Sequence, residues 1–223
     1  MSTDVKRMTF VCLACSKKFN AYCIAGKLIS KDRTIGRWVR PMDSNQVIED
    51  RDRAYPDNSG YAEPLDVVRA VYKKAIPNGF QSENVLIDTG FYWTKLNANP
   101  AIELDQLLDE PDTLWINGYS SSQGKNDRIP SELIPQVANS LYFIAVSELE
   151  VFSDISFDKL KVRANFIYNN IEYNFTITDP KACEEFQVEG NYFLGDCYLT
   201  VSLGVEFNDN HYKLIAFLYS ELL

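Results

Sequence analysis

Histidine is almost missing from this 223-residue chain; His211 is the only one. The commonest general base and metal ligand is thus confined to one position. No glycine-rich loop of the P-loop or dinucleotide-binding type occurs. The longest apolar runs, such as that around Leu141–Val146, fall far short of the ~20 residues a membrane helix needs. The opening MSTDVKRMTF has neither the apolar stretch nor the small-residue cleavage site of an export signal. A cytoplasmic protein with no membrane partner is expected. The five cysteines (Cys12, Cys15, Cys23, Cys183, Cys197) are odd in number and lack framework spacing, which predicts free thiols. Cys12 and Cys15 form a C-x2-C without a second pair, so neither a metal nor a cofactor is expected.

Positive charge is scarce overall and unevenly spread. The net charge is −9. Residues 1–100 carry 15 Lys and Arg against 11 Asp and Glu, whereas residues 101–223 carry 7 against 20. Between residues 6 and 40, Lys6, Arg7, Lys17, Lys18, Lys27, Lys31, Arg33, Arg37 and Arg40 meet one acid, Asp32. A basic face can therefore sit on an acidic protein.

Strand patterns dominate what is present: Met8–Ala14, Tyr22–Ile29, Ile35–Val39, Leu65–Lys73 and Asn84–Ile87 in the first part. Leu141–Leu149, Lys161–Tyr168, Ile171–Thr178, Tyr198–Leu203 and Tyr212–Tyr219 follow in the last part. Asn169-Asn170 predicts a tight hairpin. Asp179 with Pro180 predicts a capped helix start. Residues 43–64 read as a long polar loop, and Pro100–Glu110 has the apolar spacing of a helix. The expected fold is mainly β: two small barrels of the OB kind with short inserted helices, an N-terminal one at residues 1–96 and a C-terminal one at 141–223. Residues 97–140 would be a partly helical connection.

The candidate site lies in the first barrel. In "TIGRWVRPM", strand alternation puts Trp38 and Arg40 on one face and Arg37 on the other, with Gly36 leaving room beside the indole and the strand stopping at Pro41. An indole next to a guanidinium can stack a flat ring while holding a phosphate. Ser16 and Lys17 at the end of the first strand add a hydroxyl and an ammonium. Gln81, Glu83 and Asn84 can read polar base edges. The plainer alternative is a core tryptophan flanked by solvated arginines.

The stretches LACSKKF, YCIAG, GRWVRP, LDVV, QSENVLI, SLYFIAV, YNFTITDP and YLTVSLG…HYKLIA, in this order, resemble the dual OB domain-containing proteins of bacteria and phages. The resemblance implies two OB-like barrels from prokaryotic conflict systems, with a role in binding nucleic acid or nucleotide-derived ligands. It adds Cys23 to the candidates, and in the second half it also covers Asp179, Ser202 and Lys213. The expected function is binding of a nucleotide-type ligand or short single-stranded nucleic acid in a defence or counter-defence setting. An acidic protein-interaction adaptor or inhibitor, docking a protein partner through the C-terminal half, is the second reading. A hydrolase using Cys23 or Glu83 is the third; no matched acid–base pair supports it.

Overall fold

Asn169 and Asn170 both adopt positive φ, 48° and 62°, the conformation a two-residue hairpin requires and asparagine tolerates. Tyr168 and Ile171 therefore face each other, and the flanking strands zip antiparallel in the predicted place. The computed structural model in which this is seen describes residues 5–18, 21–56, 59–96, 103–156 and 159–223. Two compact units are present, Met1–Leu107 and Leu108–Leu223.

The first unit contains β1 (Arg7–Lys18), β2 (Ala21–Ile29), β3 (Ile35–Met42), one turn of helix α1 (Asp50–Arg53), β4 (Val67–Ala75), β5 (Asn84–Ile87) and β6 (Thr94–Leu96). Pairing runs β1-β2-β3-β5-β4 and returns to β1, closing a five-stranded barrel; only β3 and β5 are parallel. Phe10, Ile24, Val39, Val68, Val85, Ile87 and Trp93 fill it. Phe10 meets Trp93 edge to face at 5.7 Å.

Contrary to the sequence expectation, β3 does not stop at Pro41. Its ladder with β2 ends at Val39, and β5 takes over from Arg40, so the missing Pro41 N–H robs no neighbour of a bond on the β2 side. Nor is there open room at Gly36: a Cβ there would lie 3.1 Å from that of Leu28. The long loop is tied down. Ile48 exchanges backbone hydrogen bonds with Tyr22, Asp43 accepts from the amides of Asn45 and Val47, and Arg53 lies over the rings of Tyr22 and Tyr61 at 4.0 and 4.7 Å.

The second unit contains β7 (Arg128–Pro130), β8 (Leu141–Ser156), β9 (Lys159–Tyr168), β10 (Ile171–Ile177), α2 (Pro180–Glu185), β11 (Gly190–Phe207) and β12 (Asn210–Tyr219). Pairing runs β8-β9-β10-β12-β11 and back to β8, again with one parallel contact, β10 with β12. Asp179 caps α2 as predicted, accepting from the Lys181 amide, while its other oxygen accepts from the Leu218 amide. β8 and β11 are far longer than the alternation indicated: beyond Leu149, β8 pairs with β9 on one side and, as far as Ser153, with Gly190–Phe193 of β11 on the other.

Residues 97–140 contribute to both units. Of the expected helix Pro100–Glu110, residues 103–110 are described and only Leu104–Leu107 wind, as a single 3-10 turn that belongs to the first unit, while β7 pairs with β12 in the second. Ile102 and the rest of 97–102 lie outside the described residues.

Two features of this packing are testable. Gly26 faces the bulge in β1, where a Cβ would sit 2.0 Å from the Val11 carbonyl oxygen. Gly26→Ala must displace backbone, and we expect a loss of about 3 kcal/mol in denaturant titration.

Lys213 is the second. It is 1% exposed; its Nζ donates to the Ile116 carbonyl at 2.8 Å and to Asn117 Oδ1 at 3.0 Å, with the Tyr173 and Phe175 rings 5.6 and 5.9 Å away. Burial brings its pKa from 10.5 to about 7, opposed by the charge of Asp127. Between those values the unfolded chain binds a proton that the folded chain does not, so stability rises with pH across that window. Below it the folded state carries the full cost of a buried ammonium. The stability difference between Lys213→Met and the parent should therefore favour the variant most at pH 6 and shrink as pH approaches 10. Denaturation series at several pH values measure it.

Candidate nucleic-acid interface

Alternation on β2 sends Ile24, Gly26 and Leu28 toward the core and Cys23, Ala25 and Lys27 outward. On β3, Val39 points in, so Trp38 and Arg40 point out. Register aligns Lys27 with Trp38 and Gly26 with Val39, which sets a cation and an indole side by side on the outer face of β2–β3. This is the face OB barrels use for oligonucleotides. The Lys27 ammonium lies 5.4 Å from the centroid of the Trp38 ring and donates to the Leu107 carbonyl at 2.7 Å. The 3-10 turn thereby covers part of the face and leaves Lys27 only 5% exposed, while Trp38 stays half-buried.

Arg40 and Glu83 are joined. The parallel β3–β5 pairing brings them together: the Arg40 amide donates to the Glu83 carbonyl at 2.9 Å, and the guanidinium pairs with the Glu83 carboxylate at 3.0 Å, both side chains well buried. Two groups expected to meet ligand separately are thus mutually neutralised. Asn84, aligned with Arg40, is 3% exposed; its Nδ2 donates to Gln81 Oε1 at a long 3.5 Å, and its Oδ1 has no partner among the described residues. An unmet buried carbonyl costs about 1–3 kcal/mol.

The remaining candidates separate from this group. Ser16 is buried on β1 opposite half-buried Cys23. Lys17 is solvent-exposed at the next position, and Arg37 is exposed on β3 where the register with β2 shifts, between Ile35 and Trp38. His211 belongs to the second unit, its Nδ1 2.9 Å from the Gly204 carbonyl. Among the described residues no group of three or more His, Cys, Asp and Glu is placed to hold a metal. The sequence reading counted Lys27 among the cations of residues 6–40 but not among the site residues; the signal was available, since it lies three positions from core residue Ile24 and so on the outward face.

Two closed five-stranded barrels, each ordered first-second-third-fifth-fourth with a helix between the third and fourth strands, define an OB-fold protein. The family model for the dual OB-containing domain matches residues 8–218, and the chain belongs to that family. No curated protein matches it. Among solved structures, one titled "Structure of murine DNA binding protein bound with ds DNA" is 9% identical, covering 97% of this chain and 98% of its own, with a TM-score of 0.32.

Removing one member of a buried ion pair strands the other. Glu83→Gln should therefore lower the stability of the first unit by about 3 kcal/mol, whereas Arg37→Ala, at an exposed site, should change it by less than about 0.5 kcal/mol. Chemical denaturation followed by tryptophan fluorescence separates the two.

Proposed function

We propose that the chain is a binding module for a nucleotide-type ligand or a short single-stranded nucleic acid, taken up by the first barrel. The observation that carries this reading is the half-exposed Trp38 indole beside the Lys27 ammonium on the outer β2–β3 face. An indole there stacks any base, because every base has a π-face. Exposed Lys17 and Arg37 supply phosphate contacts at the margins, and Gln81 with the unpartnered Asn84 carbonyl supplies polar recognition. Arg40, tied to Glu83, acts as part of the rigid floor. The first unit carries 15 Lys and Arg against 13 Asp and Glu, the second 7 against 18, so positive charge is local. A local patch favours a short strand or a nucleotide over a long tracked polymer. The defence or counter-defence setting of the family resemblance belongs to the same reading.

Titration with mono- and dinucleotides and short single strands, read by intrinsic fluorescence, tests it. Binding should quench fluorescence in the parent and not in Trp38→Phe. Trp38→Ala should weaken affinity about tenfold or more. Arg37→Ala should weaken it with a salt slope lower by about one. Absence of saturable binding, or affinity indifferent to Trp38, would refute the proposal. Chromatography of the recovered ligand checks that it leaves unchanged.

A further inference from the structure

The second barrel presents a groove of about 970 Å³ on the outer side of β8, β9 and β10, with its wall completed by Phe193 and Gly195 of β11. The strand register lays its chemistry out in a row. Phe193 aligns with Glu150, Glu150 with Asn165, Asn165 with Asn174, and Asn174 with Lys125. At 4.7–4.9 Å per strand the row spans about 19 Å.

Hydrogen bonds fix this row before any ligand arrives. Arg163 Nε donates to Asn174 Oδ1 at 2.6 Å, Asn174 Nδ2 donates to Asn165 Oδ1 at 2.8 Å, and Asn165 Nδ2 donates to Glu150 Oε2 at 3.1 Å. Arg163 is itself anchored to Asp127 at 3.1 Å. The chain of donors ends on the Glu150 carboxylate, which meets no cation among the described residues. Glu148 stands nearby on the groove, at a break in the β8–β11 register where it takes a φ of 56°. Glu172 adds a third carboxylate, and Lys125, 4.0 Å from it, is the one ammonium on the lining among the described residues. Two apolar side chains stand open to solvent beside these acids: Phe193, 75% exposed, and Ile167, 59% exposed.

We propose that this groove docks an extended, basic segment of a partner protein, in which cationic side chains alternate with apolar ones. Charge selects the occupant. The second unit has a net charge of −11, from 18 acids and 7 cations, so nucleic acid, an anionic membrane and a second copy of this acidic face are all repelled. Lysine or arginine in the segment meets Glu148, Glu150 and Glu172, while its apolar residues cover Phe193 and Ile167. The volume is that of a binding cleft rather than a surface irregularity. An extended peptide matches a row of side chains spaced by strands, with aromatic anchoring supplying affinity and the carboxylates supplying specificity and fast association. The site lies wholly in the second unit and does not depend on ligand binding by the first.

Fluorescence anisotropy of the full chain with a short labelled peptide of alternating arginine and leucine tests the inference. Saturable binding that weakens with added salt is expected. The double variant Glu148→Gln/Glu150→Gln and the single variant Phe193→Ala should each weaken it about tenfold. Phe193 is a surface side chain, so its variant keeps the test valid should the Glu150 change disturb the amide row. The control Glu184→Gln/Glu185→Gln removes the same charge from exposed positions on α2 and should leave affinity unchanged. Equal losses in control and groove variants would reduce the effect to bulk charge and overturn the proposal. So would the absence of peptide binding, or a single-stranded oligonucleotide whose binding is lost in the groove variants.

Discussion

Each barrel depends on a brief parallel contact between its third and fifth strands. In the first unit three pairs make it, Arg40 with Asn84, Pro41 with Val85 and Met42 with Leu86. In the second it is two, Thr176 with Leu214 and Ile177 with Ile215. Without these ladders each unit would be an open sheet with exposed edges, the arrangement most prone to unwanted pairing. The same contacts set the polar chemistry. Arg40 and Asn84 are ladder members, and Glu83 and Lys213 each stand one residue before a ladder begins. Closing the barrel and assembling the buried polar groups are one event.

Small barrels have little interior to spare, so each buried charge must be met. Arg163 has Asp127, Thr176 and both the side chain and carbonyl of Asn174. Arg40 has Glu83, and Lys27 has the Leu107 carbonyl. Among the described residues Lys213 donates to neutral acceptors and lies against ring faces, and burial outweighs the charge of Asp127, which is why its proton is held so loosely. Breaking the first two pairs would leave a permanent charge stranded; Lys213 can shed its own.

Legibility in the sequence followed the range of the interaction. Asn169-Asn170 and Asp179-Pro180 act through their own backbone, and both the hairpin and the helix start were readable. Strands with a clean apolar alternation, Tyr22–Ile29 and Asn84–Ile87 among them, were also visible. What escaped depended on distant partners. β3 passes Pro41 because β5, more than forty residues away, takes over the ladder there. β8 and β11 outrun the strands read from the sequence because neighbouring strands template the extra residues: each other, β9 for the end of β8 and β12 for the end of β11. Trp38 and Arg40 could be put on one face, but the pairing of Arg40 with Glu83 and the covering of Lys27 by the turn at Leu104–Leu107 involve residues far apart in the chain.

One topology used twice has produced two faces of opposite chemistry. Outside the second and third strands of the first barrel stand Lys27 and Trp38; on the corresponding strands of the second stand Asn165, Ile167, Glu172 and Asn174, with Glu150 on the strand beside them. The core residues behind both are alike in kind, since Ile24 and Val39 serve the first barrel as Ala164 and Phe175 serve the second. Inward positions are held by the need to fill the barrel, whereas outward positions are free to take either charge. Fold and ligand are therefore separate properties here. Under the two readings proposed above, a phosphate-bearing ligand would go to the first face and a cationic one to the second, so the acidity of the whole chain argues against neither.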